Sequence, residues 1–258
     1  MGTDWNGARY AGEAEHHRAL DDWFLDRLPP EPGDTIVDLG CGSGEFTARV
    51  AESVPTGRVI GVEPDPSMLQ AARRHSRPGL EFLQASAETF DDLFAEGSID
   101  KVLSRAMLHW IPMDDYPRVF QAVFRVLRPG GWFHSESAGA GNVPRLIEVV
   151  NDLADRFGTP PPLPFPNAGA VFDLVEEAGF EMADEAVRTV AQRRRFTRQQ
   201  AIGLLRTQAA VAVIREAPRR DSRAIEEAAA GEIERLRRSD GTFDQTFVRL
   251  EIMVRRPS

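Results

Sequence analysis

The chain has 258 residues, 42% of them hydrophobic, with 31 Lys and Arg against 40 Asp and Glu, a formal net charge of −9. That acidic excess argues against a general nucleic-acid binder, which needs a basic footprint, and the length suits one α/β domain with a sizeable core and a modest cap. No apolar run reaches about 18 residues and the N-terminus lacks the basic-then-apolar pattern of a secretion signal, so a soluble, cytoplasmic protein without a membrane partner is expected.

The charge is uneven, because residues 187–258 hold 16 arginines against 9 acids while the preceding part is strongly acidic. Cys41 is the only cysteine, which forbids an intrachain disulfide and is compatible with a reducing compartment. Lys101 is the only lysine and reads as compositional bias rather than function.

Along the chain, Trp5, Tyr10, His16 and His17 precede an amphipathic stretch, 20–28, that stops at Pro29-Pro30. Ile36 to Leu39 predict a strand that runs into three alternating glycines, Gly40, Gly42 and Gly44, and then a helix over 45–53. Further strands are predicted at 58–62, 80–84, 99–104 and 132–135, and helices at 66–76, 88–95 and 113–127; Asp65-Pro66 is a good helix start. Pro129-Gly130-Gly131 predicts a turn. The proline run 159–166 forbids regular helix or central strand. A helix at 168–178 and strand at 180–191 follow. Two helices between 196 and 240 are surplus to an alternating sheet, and a last strand, 246–254, is expected to return antiparallel.

The glycine turn combines positive-φ freedom with the free N–H groups of a helix start. Its pattern is Gly-x-Gly-x-Gly with Asp38 two residues ahead, not the dinucleotide fingerprint. An acid there repels a pyrophosphate and suits an ammonium group. Glu63, at the end of the next strand, stands where a carboxylate grips a ribose diol. An adenosine with a cationic amino-acid tail satisfies both.

On Asp38 to Gly44, Glu63 to Leu69, Gln84 to Phe90, and Leu127 to Phe133, the sequence resembles the class I S-adenosylmethionine-dependent methyltransferases. The resemblance implies a doubly wound, seven-stranded, mostly parallel sheet, the Rossmann-like methyltransferase fold, as a single domain over 1–258 with helical cap elements at 1–28 and 197–240. It also implies S-adenosyl-L-methionine as cofactor, with S-adenosyl-L-homocysteine as product. The implied contacts are Tyr10, Asp38, Gly40, Cys41, Gly42, Gly44, Glu63, Pro64, Met68, Ser86, Ala87, Glu88 and Ser104. Ser86 stands where relatives carry an aspartate for the adenine amino group, so Ser86 itself or the Ala87 and Glu88 backbone takes that role.

Leu108-His109-Trp110 resembles trans-aconitate methyltransferases and juvenile hormone acid methyltransferases, which esterify small carboxylic acids. His109, Trp110 and Glu136 are the catalytic candidates, with His134 as another possible base; Arg105, Arg145 and Arg206 are candidates for an anionic acceptor. His109 is either a base for a hydroxyl, a positioning group for a carboxylate, or a structural histidine. The five histidines and one cysteine show no metal-ligand spacing, so no metal is expected. The expected reaction is methyl transfer to oxygen of a small molecule by a monomer or homodimer. The alternatives are carbon or nitrogen methylation of a metabolite, an RNA methyltransferase favoured by Arg193 to Arg195, and a cofactor-binding protein without catalysis.

Overall fold

The computed structural model describes residues 21–205, 211–218 and 221–258. Its strands are β1 (Thr35–Leu39), β2 (Arg58–Val62), β3 (Leu80–Leu83), β4 (Ile99–Arg105), β5 (Leu127–Ala138), β6 (Val187–Phe196) and β7 (Phe243–Arg255). They form one sheet in the order β3-β2-β1-β4-β5-β7-β6. Pairing is parallel from β3 through β5. Gly130 N–H donates to the Arg256 carbonyl and Gly139 N–H to that of Val248, so β7 descends as β5 climbs and is antiparallel to it. The strand order reverses between β1 and β4, the switch point where open α/β sheets bind ligands at their carboxyl ends.

The helices are α1 (Asp21–Arg27), α2 (Glu45–Glu52), α3 (Pro66–Ala72), α4 (Tyr116–Val126), α5 (Pro144–Phe157), α6 (Ala168–Glu177), α7 (Arg198–Leu204), α8 (Val211–Glu216) and α9 (Ser222–Ile233). Alternation along the buried strands sorts their side chains onto two faces. Val37, Leu39, Ile60 and Val62 join a core with Val119, Phe120 and Val123 of α4 and Val171 and Val175 of α6. Ile36, Val59 and Leu103 join another with Phe24 of α1, Val50 of α2 and Leu69 and Ala72 of α3. The Asp65 carboxylate caps α3 by accepting from the Ser67 and Met68 amides, at 2.9 and 3.0 Å, while Pro66 occupies the first turn.

Three expectations are corrected. Residues 88–95 make only a 3-10 turn, Phe90–Leu93: Phe90 is drawn into the core and Asp91 pairs with Arg118 and Arg125 from α4. The strand expected from 180 begins at Val187, preceded by an isolated antiparallel bridge of Glu181 with Arg255 and a left-handed Glu185 at φ 61°. Between 196 and 240 the described residues hold three α-helices, α7 to α9, rather than two.

The chain divides into two compact units, one of residues 1–138, 166–189 and 250–258, the other of 139–165 and 190–249. The surplus helices thus belong to a larger body than the 197–240 cap read from sequence. That second unit has its own core, in which Leu146, Val150 and Leu153 of α5 join Ile225, Ala229 and Ile233 of α9 and Phe243 and Phe247 of β7. The boundary between residues 165 and 166 falls within the proline run, just before Pro166.

Candidate functional site

The site is built at the carboxyl ends of β1, β2 and β4 in the first unit. The three glycines of the turn after β1 all have positive φ, 77° at Gly40, 55° at Gly42 and 87° at Gly44, but for different reasons. A Cβ on Gly40 would collide with the Met107 side chain, and one on Gly44 would lie 2.9 Å from Phe82 and 3.0 Å from Ala72. At Gly42 the nearest atom is Met68 Cε at 3.9 Å. Gly40 and Gly44 are therefore glycine for internal packing, whereas Gly42 presents bare backbone to open space, with buried Met68 beside it. Met107 had no sequence signal, because its contact with Gly40 joins the segment after β4 to the turn after β1.

Two carboxylates flank that backbone. Glu63 accepts from the Gly42 amide through one oxygen and from the Asp65 amide through the other, each at 3.0 Å. Asp38 is 1% exposed and accepts from the Thr47 hydroxyl at 2.6 Å. Burial pushes the Asp38 carboxyl up to about 7, Thr47 opposes that, and the Glu63 charge adds to it. Burial likewise raises Glu63, against its two amide bonds. Two buried carboxylates so raised suit a ligand that brings a cation and further hydroxyl donors, as an ammonium-bearing nucleoside does. Cys41 is buried with its thiol against Gly61, and burial raises it as well, so its backbone is what remains for a ligand.

The other expected cofactor contacts are placed as follows. Pro64 is exposed, its carbonyl accepting from the Gln84 amide at 3.1 Å. The Ser86 hydroxyl lies 3.1 Å from that of Thr89, Ala87 packs into the core, and Glu88 is half-buried. The fully buried Ser104 hydroxyl donates to the Leu39 carbonyl at 3.0 Å, joining β4 to β1. Tyr10 and Arg206 lie outside the described residues.

After β4 the backbone turns through Ala106, at φ 52°, whose amide donates to the Glu136 carbonyl at 2.7 Å. An alanine in the left-handed region costs about 1–2 kcal/mol and marks a conformation imposed by its surroundings. It launches the 3-10 turn Leu108–Trp110. The buried Tyr116 hydroxyl, raised by its burial, donates to the Leu108 carbonyl at 2.9 Å and pins that turn to α4. His109 is half-buried, and its Nδ1 accepts from the Ala138 amide at 3.3 Å. Trp110 is 37% exposed, its ring 5.2 Å from that of His109.

Several candidates are engaged by the protein itself. Arg105 pairs with Asp21 of α1, lies 3.9 Å from the buried Glu136 carboxylate, and stacks over Phe24 and Phe46. His134 is fully buried against Phe24 and bonds Glu251 at 3.0 Å; burial lowers it, which suits a structural imidazole. In the second unit Arg145 is exposed on α5, and Arg193 and Arg195 pair with Asp244, at 2.7 and 3.3 Å. Arg194 lies over Phe196 and Phe247. Among the described residues no cluster of three or more His, Cys, Asp or Glu is placed to hold a metal, and no helix is long and apolar enough to cross a membrane.

A methyltransferase-domain family model matches residues 36–131, which contain the glycine turn, Glu63 and His109. The chain is 38% identical over 104 residues to a trans-aconitate 2-methyltransferase of Deinococcus radiodurans, a match covering 40% of this chain and 38% of that protein. In matches of this kind the chain spans less than half of the curated relative's length. Its fold is similar to that of a putative methyltransferase of Bacillus halodurans, at a TM-score of 0.65 and 14% identity over 93% of this chain and all of that one. It is also similar to phosphoethanolamine N-methyltransferase 2 of Haemonchus contortus, solved with S-adenosylhomocysteine, at a TM-score of 0.64 and 18% identity over 99% of this chain and 58% of that one.

Proposed function

We propose that the chain is a class I S-adenosylmethionine-dependent methyltransferase that methylates a carboxylate oxygen of a small acid. The observation that carries the cofactor half is the cup at the strand ends: open Gly42 backbone between two buried, raised carboxylates. Its residues suit the group. The Glu63 oxygens are oriented by two amides and retain lone pairs for ribose hydroxyls, while Asp38 supplies negative charge toward an ammonium. When bound, S-adenosylmethionine supplies a methyl already activated by its sulfonium. The protein's part is to hold the acceptor in line and exclude water, where positioning is worth effective molarities of about 10⁵ to 10⁸ M.

The acid half is supported by the Leu108-His109-Trp110 turn and by the trans-aconitate methyltransferases among the relatives. Arg105, already paired inside the protein, is assigned to holding α1 rather than to the acceptor. We extend the reading to residues 197–240, proposed to set acceptor choice. Exchanging that segment with a relative's should change which acid is methylated and leave cofactor affinity alone.

The test incubates the protein with methyl-labelled S-adenosylmethionine and a panel of small carboxylic acids, alcohols, amines and RNA. Base-labile labelled ester from an acid is the expected product. Base-stable product would shift the reading to carbon, nitrogen or ether-oxygen methylation, and label in RNA would revive the nucleic-acid reading. Calorimetry showing no S-adenosylmethionine binding would remove it altogether.

A further inference from the structure

We infer that Met107 is a positioning residue for methyl transfer: its side chain, seated on the Gly40 backbone, sets how far the Leu108–Trp110 turn stands from the cofactor turn. This deepens the proposed methyl transfer and rests on it.

Met107 meets both turns at once. A Cβ built on Gly40 would collide with Met107 Cγ and lie 2.7 Å from Met107 Cβ, while Sδ stands off at 3.7 Å. The first two carbons of the Met107 side chain therefore fill the space that Gly40 leaves open. From the same residue the main chain starts the other turn, for the Met107 carbonyl accepts from the Trp110 amide at 2.9 Å. One residue thus joins Gly40 to the segment that carries His109 and Trp110.

Both sides of this contact are held by other bonds. The Gly40 and Cys41 amides donate to the Val62 carbonyl at 2.8 and 3.0 Å, and the Gly42 amide donates to Glu63 at 3.0 Å, so the cofactor turn is tied to the end of β2. On the other side the left-handed Ala106, bonded to the Glu136 carbonyl, aims the chain as it leaves β4. The Tyr116 hydroxyl holds the Leu108 carbonyl one residue later. Met107 stands between these fixings, half-buried at the edge of the core, and acts as a spacer of set length.

The chemistry makes that length count. A lone pair of the acceptor oxygen forms the bond to the methyl carbon as the C–S bond breaks and its electron pair stays on sulfur, and the three atoms must lie in line. Misplacement by about 1 Å costs on the order of a hundredfold in such a step. Cofactor affinity is set elsewhere, by Asp38, Gly42 and Glu63. Loss of the spacer should therefore appear in the saturated rate rather than in cofactor binding.

The experiment compares Met107→Ala, which deletes Cγ, with Met107→Leu, which keeps both Cβ and Cγ, at a temperature where thermal denaturation shows each variant folded. Its first arm needs no acceptor: acrylamide quenching of Trp110 fluorescence in protein loaded with S-adenosylhomocysteine, with Trp110→Phe versions supplying the background of the other three tryptophans. Met107→Ala should raise the Trp110 quenching constant about twofold or more, and Met107→Leu should leave it near the wild-type value. The second arm is single-turnover methylation of trans-aconitate. Met107→Ala should lose about ten- to a hundredfold in saturated rate with S-adenosylmethionine Kd within about threefold, and Met107→Leu should recover most of the rate. Wild-type quenching and saturated rate in Met107→Ala, with only Tm reduced, would assign Met107 to packing and overturn the inference. A Met107→Leu enzyme as slow as Met107→Ala would overturn it too, because the sulfur and not the spacing would then matter. If trans-aconitate and other acids are not methylated while quenching rises in Met107→Ala and not in Met107→Leu, the acid reading fails and the spacer assignment survives.

Discussion

The Thr47 hydroxyl donates to the Asp38 carboxylate at 2.6 Å, joining the first turn of α2 to the end of β1 beneath the glycine turn. Thr47 is fully buried and Asp38 nearly so, yet this single bond does not offset the burial that lifts Asp38 to about 7. A carboxylate buried in this way is stabilised by a neighbouring positive charge or by a proton.

That has a signed consequence for stability. A carboxyl with a folded pKa above its unfolded value binds its proton more tightly when folded, so its contribution is complete below about 4 and is lost as pH rises through about 7. The ligand-free protein should lose Tm across that window, and Asp38→Asn should flatten the loss. S-adenosylmethionine should raise Tm more at pH 8 than at pH 5. Parallel Tm-against-pH curves for the wild type and Asp38→Asn would show that Asp38 is not the responsible group.

Gly42 and Gly40 should fail differently. Gly42→Ala meets open space and pays only for a left-handed backbone, about 1–2 kcal/mol, so the fold should survive while S-adenosylmethionine affinity falls at least tenfold. Gly40→Ala drives a methyl into Met107, an overpacking that typically costs about 1–3 kcal/mol, and a Met107→Ala partner change should relieve part of it. Calorimetry and thermal denaturation on the three variants separate the effects. Equal loss of affinity with no difference in Tm would contradict the assignment of Gly40 to packing.

The only lysine offers a stability prediction away from the chemistry. Lys101 on β4 is 6% exposed, and its ammonium donates to Asp34 at 2.5 Å and to the Pro29 carbonyl at 2.9 Å. Lys101→Met leaves Asp34 buried without its counter-charge, an arrangement that costs about 3–5 kcal/mol. Urea denaturation should show that loss, with kcat/KM nearly unchanged at a temperature where the variant is folded. A loss under 1 kcal/mol would mean that Asp34 reaches solvent or another donor.

The parts of this molecule legible in its sequence are those set by local periodicity and turn chemistry. Ile36 to Gly44 announce a strand, a turn and a helix start; Asp65-Pro66 announces α3; the alternating elements up to β5 follow the two-faced sheet they build. What could not be read depends on contacts between distant segments. Lys101 looked like compositional bias because its partners are some 70 positions earlier. Arg105 looked available to an acceptor until Asp21 was placed against it. The 88–95 segment has helix-compatible residues, yet Phe90 gains more from the core than from a further helical turn. His109 could be located but not given a role, since the amide from which its Nδ1 accepts lies 29 residues away.

Tyr116 is the residue through which the placement of His109 is best tested without touching the histidine. Its hydroxyl serves the Leu108 carbonyl, and its ring packs edge-on against Phe120 at 5.6 Å. Tyr116→Phe keeps the ring and removes one of two bonds to the Leu108 carbonyl, which still accepts from the Ile111 amide at 2.9 Å, a loss of about 0.5–1.5 kcal/mol. If that bond only stabilises the fold, the variant should lose Tm with unchanged kinetics at low temperature. If it also positions the Leu108–Trp110 turn, KM for the acid should rise several-fold while S-adenosylmethionine affinity, set at the β1 and β2 ends, stays within twofold. Unchanged KM in a folded Tyr116→Phe protein would assign the hydroxyl to stability alone.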